Sequence, residues 1–141
     1  MSGIRSKRDD LAFGKKSEEE KLSIFESHFA TKLMKHKNPH YPLDFHDEAH
    51  TLYVELKTRH IKYEQYETTL ISAHKVSYCN KPEISYYFVF AYTDGIYYIK
   101  YEKEVFDTFE VKPFKRFDRV DDKQTPQPYY FIPIKSLTKM H

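Results

Sequence analysis

The sequence predicts an α/β (α+β) domain, and three observations carry that expectation. Leu22, Phe25, Phe29 and Leu33 recur at helical spacing behind a capping pattern. "YPLDFH" and "TLYVELKTR" alternate apolar and polar residues and are separated by a short loop, as in an antiparallel hairpin. "EISYYFVFAYTDGIYYIKYE" reads as two further strands joined at Thr93-Asp94-Gly95.

In chain order, residues 1–16 are polar and basic (Arg5, Lys7, Arg8, Lys15, Lys16) and read as a flexible arm, with one domain over 17–141. Ser17 with Glu20 makes a capping box. The acidic run Glu18 to Glu20 suits the positive end of the helix dipole, and Lys35, His36 and Lys37 its negative end. Glu26 lies at the edge of the apolar stripe, where a carboxylate needs a partner or solvent. "NPH" at 38 to 40 ends the helix. In the hairpin, facing Phe45 with Val54 and Leu43 with Leu56 on the core side puts Asp44 opposite Glu55 on the other face, with Lys57 beside them. Residues 62–78 read as a second helix through Tyr63, Tyr66, Leu70 and Ala73. The strand after residue 83 is apolar on both faces and should be central. Residues 111–128 read as a charged, proline-broken loop, and "YYFIPIKSL" as a last strand.

Composition narrows the function. At 141 residues the chain holds a real core but not two domains. Its three glycines are scattered and form no phosphate-binding loop, so Asp47-Glu48-Ala49-His50 is not a helicase box. The charge is nearly balanced, 23 Lys plus Arg against 21 Asp plus Glu, a mild lean toward polyanions. A single cysteine, Cys79, excludes an internal disulfide and a cysteine-based zinc finger and fits an intracellular, soluble protein. No apolar run reaches membrane-span length, so no membrane partner is expected. The 13 Tyr and 11 Phe, with no Trp, fit a tyrosine-rich sheet, and the composition would suit an AT-rich, possibly viral genome. His46 and His50 read as exposed turn residues, because a strand and turn would not bring them together as zinc ligands.

Asp44, Glu55 and Lys57 are a more pointed set. Two close carboxylates repel, and a hard divalent cation such as Mg²⁺, or Mn²⁺ in its place, relieves that repulsion, with the Leu56 carbonyl as a natural further ligand. Such an ion polarises a phosphodiester and acidifies a water, which Lys57 could orient. Asp44, ten residues, then Glu55-Leu56-Lys57 resembles the metal-binding motif of the PD-(D/E)XK, or restriction-endonuclease-like, nucleases. The proline stands at Pro42, two positions before Asp44 instead of next to it.

The resemblance implies a mixed central sheet flanked by helices and a metal-dependent DNA endonuclease. It implies Asp44, Glu55, Lys57 and Glu26 as catalytic residues and Asp44, Glu55 and the Leu56 carbonyl as metal ligands. Family members also carry a polar residue on the helix after the motif, for which Gln65 and Lys75 are candidates. DNA phosphates would be met by Arg59, Lys62, Gln65, Lys112, Lys115, Arg116 and Arg119, with the arm, Lys35 and Lys37 in support. A homodimer is expected by analogy with small resolvases of that superfamily. The alternatives are a non-catalytic nucleic-acid-binding or assembly protein that keeps the fold, and a structural subunit whose tyrosine-rich sheet makes protein contacts.

Overall fold

The computed structural model describes residues 20–38, 41, 43–114 and 126–141; the expected arm at 1–16, the Ser17 cap, and Lys115, Arg116 and Arg119 lie outside these. Among the described residues, helix α1 covers 20–29 and is followed by β1 (Met34–Lys35), β2 (Phe45–His46), β3 (Leu52–Thr58) and β4 (Thr68–Ser72). One helical turn, α2 (Ala73–Val76), precedes β5 (Ser85–Tyr92), β6 (Gly95–Lys100) and a second turn, α3 (Lys103–Phe106). Then come β7 (Glu110–Phe114), β8 (Gln127–Pro133), a 3₁₀ turn (Ile134–Ser136) and β9 (Thr138–Lys139).

The strands form two sheets. The larger has six strands in the order β1-β2-β3-β5-β6-β9, antiparallel except for the β3–β5 pair, and the smaller is an antiparallel β4-β8-β7 sheet. The parallel pair explains why β5 is apolar on both faces: it lies between β3 and β6 and is covered on each side. Residues at even positions of β3, Leu52, Val54 and Leu56, join Phe25, Leu33, Phe45, Val89, Ala91 and Ile96 in a core on the α1 side. On the opposite face, Tyr53, Tyr86, Phe88 and Phe90 meet Ile71 of β4, Val76 of α2, Phe106 of α3 and Ile132 of β8. The mixed sheet is as expected, but its second face is covered mostly by strands, with only single helical turns beside them.

Four expectations need correction. The first helix does not run to Lys37. It ends at Ala30, whose φ is 54°, and Glu26 accepts a hydrogen bond from the Leu33 N–H (2.8 Å), closing a turn that sends Lys35 into β1 and not to a helix terminus. Second, the helix expected over 62–78 is β4 plus one turn. Thr68, Thr69 and Ile71 are β-branched, and burial alternates along Thr68–Ser72, so strand preference prevails over the helix-like spacing of Tyr63, Tyr66 and Leu70. Third, the loop expected over 111–128 begins as the strand β7 and ends within β8. Pro113 is tolerated because β7 is an edge strand, where the missing N–H costs no ladder bond.

The fourth correction concerns the first hairpin. Phe45 pairs with Val54 as expected, but Leu43 belongs to the core on the other face, among Tyr53 and Ile71. The reason is that the ladder ends at Phe45: the Asp44 carboxylate, and not the Leu43 backbone, takes the Leu56 N–H (2.8 Å). The chain therefore turns at Asp44 and swings Leu43 across the sheet. The second hairpin is as expected, with Tyr92 paired to Gly95 across Thr93-Asp94, and Asp94 accepting from the Tyr63 N–H (2.9 Å).

The β3–β5 pair and the core on the small-sheet face are the parts that cannot relax independently. Phe88, fully buried beside Phe106, sits at their junction. Phe88→Ala should therefore cost about 3–5 kcal/mol of stability, read by denaturant unfolding at constant m-value.

Candidate metal-binding centre

Glu55 is the unusual residue of β3. Alternation along the strand turns it to the same face as Tyr53, and its register partner on β5 is Phe88, so a carboxylate stands where the pattern calls for an apolar side chain. It is only 1% exposed. Oε2 forms ion pairs with Lys57 (3.2 Å) and with Lys75 of α2. Oε1 is buried and has no hydrogen-bond partner among the described residues.

Lys75 is placed by local chemistry. Ser72 caps α2, its hydroxyl accepting from the Lys75 N–H (3.2 Å), and the cap sets the helical turn that aims the ammonium group at Glu55. Lys57 comes from β3 itself, two residues on from Glu55 and on the same face. Asp44 adds the second carboxylate. Its Oδ2 holds the Leu56 N–H, and its charge acts on Glu55.

The electrostatics follow from burial. Desolvation, and next the negative charge of Asp44, push the Glu55 carboxyl up to about 7, against the opposing pull of Lys57 and Lys75. Desolvation likewise holds Lys57 below the ordinary lysine value, although Glu55 opposes it. Burial thus outweighs pairing for both partners, leaving a centre in which ionised Glu55 is under-compensated.

That is the setting in which a cation would be bound. Glu55 offers an unpartnered oxygen, Asp44 a second carboxylate, and both are hard oxygen donors of the type Mg²⁺ takes. The Leu56 carbonyl fits as well. In a strand the N–H and C=O of one residue point the same way, and the Leu56 N–H points to Asp44. Among the described residues no group of three or more His, Cys, Asp or Glu side chains gathers at one point, so a cation here would have only these two carboxylates and the Leu56 carbonyl as protein donors.

Beside Lys57 and Lys75 lies a cavity of about 310 Å³ lined by residues of both sheets. Lys57, Arg59 and Lys75 supply its cations, and no acidic residue is among the described residues lining it. Its other wall is one face of the small sheet: Leu70 and Ser72 of β4, Tyr129 of β8 and Phe114 of β7. Arg59 reaches this position with its Nη2 donating to the Leu70 carbonyl (2.7 Å) and its guanidinium 5.9 Å from the Phe90 ring centre.

The remaining expected site residues are placed elsewhere or lie beyond view. Glu26 is held by the Leu33 N–H on the α1 side. Gln65 and Lys62 are exposed in the turn before β4, joined by a Gln65 N–H to Lys62 carbonyl bond (3.1 Å). Lys112 pairs with Glu110 (2.8 Å) and lies 4.6 Å from the Phe131 ring centre. His46 is not an exposed turn residue. It is buried, its Nδ1 is 2.7 Å from the Asp47 carbonyl, and its ring stacks on His50 at 4.1 Å. Asp47 shapes this turn by accepting from the Thr51 N–H (2.7 Å), the Thr51 hydroxyl (2.6 Å) and the Leu52 N–H (3.1 Å). Desolvation would raise its carboxyl, but these bonds prevail and lower it. Lys75 was visible in the sequence only as one of two polar candidates on an expected helix. Ser72 and Tyr129 carried no signal, because the pairing that brings them together is long-range.

The raised carboxyl of Glu55 makes a stability prediction. Its folded-state value, about 7, lies above the unfolded value of 4.5, so the native chain holds the extra proton and its contribution is fully present below 4.5 and lost as pH rises through 7. Glu55→Gln cannot lose it. In metal-free buffer the melting temperature of Glu55→Gln relative to wild type should rise between pH 5 and pH 8, by a difference worth on the order of 1–3 kcal/mol. A gap independent of pH would mean that Glu55 is ionised throughout.

Residues 9–140 match the family model described as "Phage putative PDDEXK endonuclease". No curated protein and no solved structure matches the chain. The family match spans the α1 region, the hairpin that carries Asp44, Glu55 and Lys57, and both sheets, and the chain belongs to this phage PD-(D/E)XK endonuclease family.

Proposed function

We propose that the protein is a metal-dependent DNA endonuclease that hydrolyses phosphodiester bonds at the Asp44, Glu55, Lys57 centre. The observation that carries this reading is Glu55: a carboxylate buried in an aromatic core, with one oxygen unpartnered and a second carboxylate beside it, is costly to keep unless it binds something. Family membership supports the same conclusion.

Asp44, Glu55 and the Leu56 carbonyl would hold Mg²⁺, or Mn²⁺ in its place, which when bound supplies Lewis-acid polarisation of a phosphate oxygen and acidifies a coordinated water. Lys57 sits 3.2 Å from Glu55 and opens onto the cavity, so its ammonium group can both orient the attacking water and stabilise charge that builds on the phosphorane. Desolvation by the sheet makes that interaction stronger than it would be in water. Lys75 neutralises Glu55 from the opposite element and keeps its carboxylate oriented. Arg59 lies in the wall where the neighbouring phosphate would run. One such centre cuts one strand, so a homodimer belongs to this reading only for cleavage of both strands.

The ion pairs on Oε2 favour one other reading, a nucleic-acid-binding or assembly protein that keeps the fold without a metal. The two separate in a cleavage panel of plasmid, linear, single-stranded and branched DNA with Mg²⁺ or Mn²⁺. Wild type should cut, and Asp44→Ala and Lys57→Ala should each lower the rate at least about 100-fold. Lack of cutting together with no Mn²⁺ binding by calorimetry would leave the binding protein as the answer. Because the metal must displace a proton from Glu55, Mn²⁺ affinity should fall as pH drops below 7 and level off above it. Flat affinity from pH 6 to 8 would place the metal elsewhere.

A further inference from the structure

The cavity at Lys57 does not end at Arg59. Arg59, Leu70 and Phe114 also line a second cavity of about 220 Å³, whose other walls include Tyr63, Tyr66 and Tyr92. The two form one track with an internal order: Lys57 and Lys75 line only the first cavity, Tyr63, Tyr66 and Tyr92 only the second, and Arg59 and Phe114 are common to both. Tyr66 is 60% exposed and Phe114 42%, so both rings keep a face available although each lies beside a packed sheet.

Single-stranded nucleic acid is matched by that order, since phosphates follow cations and unstacked bases lie on rings. A paired duplex is not. Its bases are already stacked on one another and offer no free face to the rings.

We propose that the track takes an unpaired DNA strand, with phosphates along Lys57, Lys75 and Arg59 and bases stacked on Phe114 and Tyr66. The preferred substrate is then a single strand, flap or frayed branch, and an intact blunt duplex is a poor one. Only the cutting of that strand rests on the nuclease reading; its binding does not.

The chain has no Trp, so Tyr66→Trp introduces its only indole. In EDTA, a mixed-sequence single-stranded 12-mer should quench that indole and a blunt duplex of the same sequence should not. Tyr66→Ala should weaken single-strand binding, followed by anisotropy of a labelled 12-mer, by about fivefold or more, while its melting temperature stays that of wild type. Equal quenching by duplex overturns the proposal, as does single-strand binding that leaves the indole unchanged or no single-strand binding at all. Since nothing is cut in EDTA, the two readings fail separately. Quenching by single strands with no cleavage in Mg²⁺ or Mn²⁺ removes the nuclease and keeps the track. Cleavage of blunt duplex with a silent indole does the reverse.

Discussion

The parallel ladder between β3 and β5 is the constraint on which the rest depends. It fixes the register that sets Glu55 beside Phe88 and Lys57 beside Phe90, and so decides that the carboxylate lies among rings while the ammonium group reaches the cavity. Because side chains alternate, the same strand that delivers Glu55 and Lys57 to one face delivers Leu52, Val54 and Leu56 to the core under α1. A slip of one residue would bury the charges under the helix and send the aliphatic row into the aromatic core on the other face. Core packing and site geometry are therefore one requirement, met by one register.

The site in turn shows why its charges come from separate elements. Asp44 arrives from the residue just before β2, Glu55 and Lys57 from β3, and Lys75 from a capped turn after β4. Each pair would be weak at a surface, where water screens it. Behind two sheets the desolvation of Glu55 outweighs its pairing, and a centre of this kind holds electrostatic tension in its resting state.

How much of this could be read in advance depended on range. The Phe45–Val54 pairing, the tight turn at Thr93-Asp94 and the central β5 were visible because each rests on periodicity within a few residues of its partner. The proximity of Asp44 to Glu55 was visible for the same reason, since a hairpin makes them near neighbours. What was not visible was β4 and β7. "TTLIS" lies in a stretch whose tyrosines and leucine also fit a helix, and "EVKPF" carries a proline and two charges; both become strands because β8 pairs with them, far along the chain from the first and across a long connection from the second. The cavity walls at Ser72, Phe114 and Tyr129 were lost with them. The crossing of Leu43 to the other core was hidden for a different reason, since it follows from one side chain, Asp44, replacing a backbone group in the ladder.

The crossover from β3 to β5, residues 59–84, carries Arg59, β4, Ser72 and Lys75. The chain must fold this whole excursion back before β5 can zip beside β3, and contacts of such sequence separation form late and slowly. Until then Glu55 has neither its lysine from α2 nor its aromatic shelter, and the early hairpin is only a pair of exposed carboxylates on a strand. Assembly of the centre thus waits on long-range pairing: a nascent or partly unfolded chain carries Asp44, Glu55, Lys57 and Lys75 without holding them together.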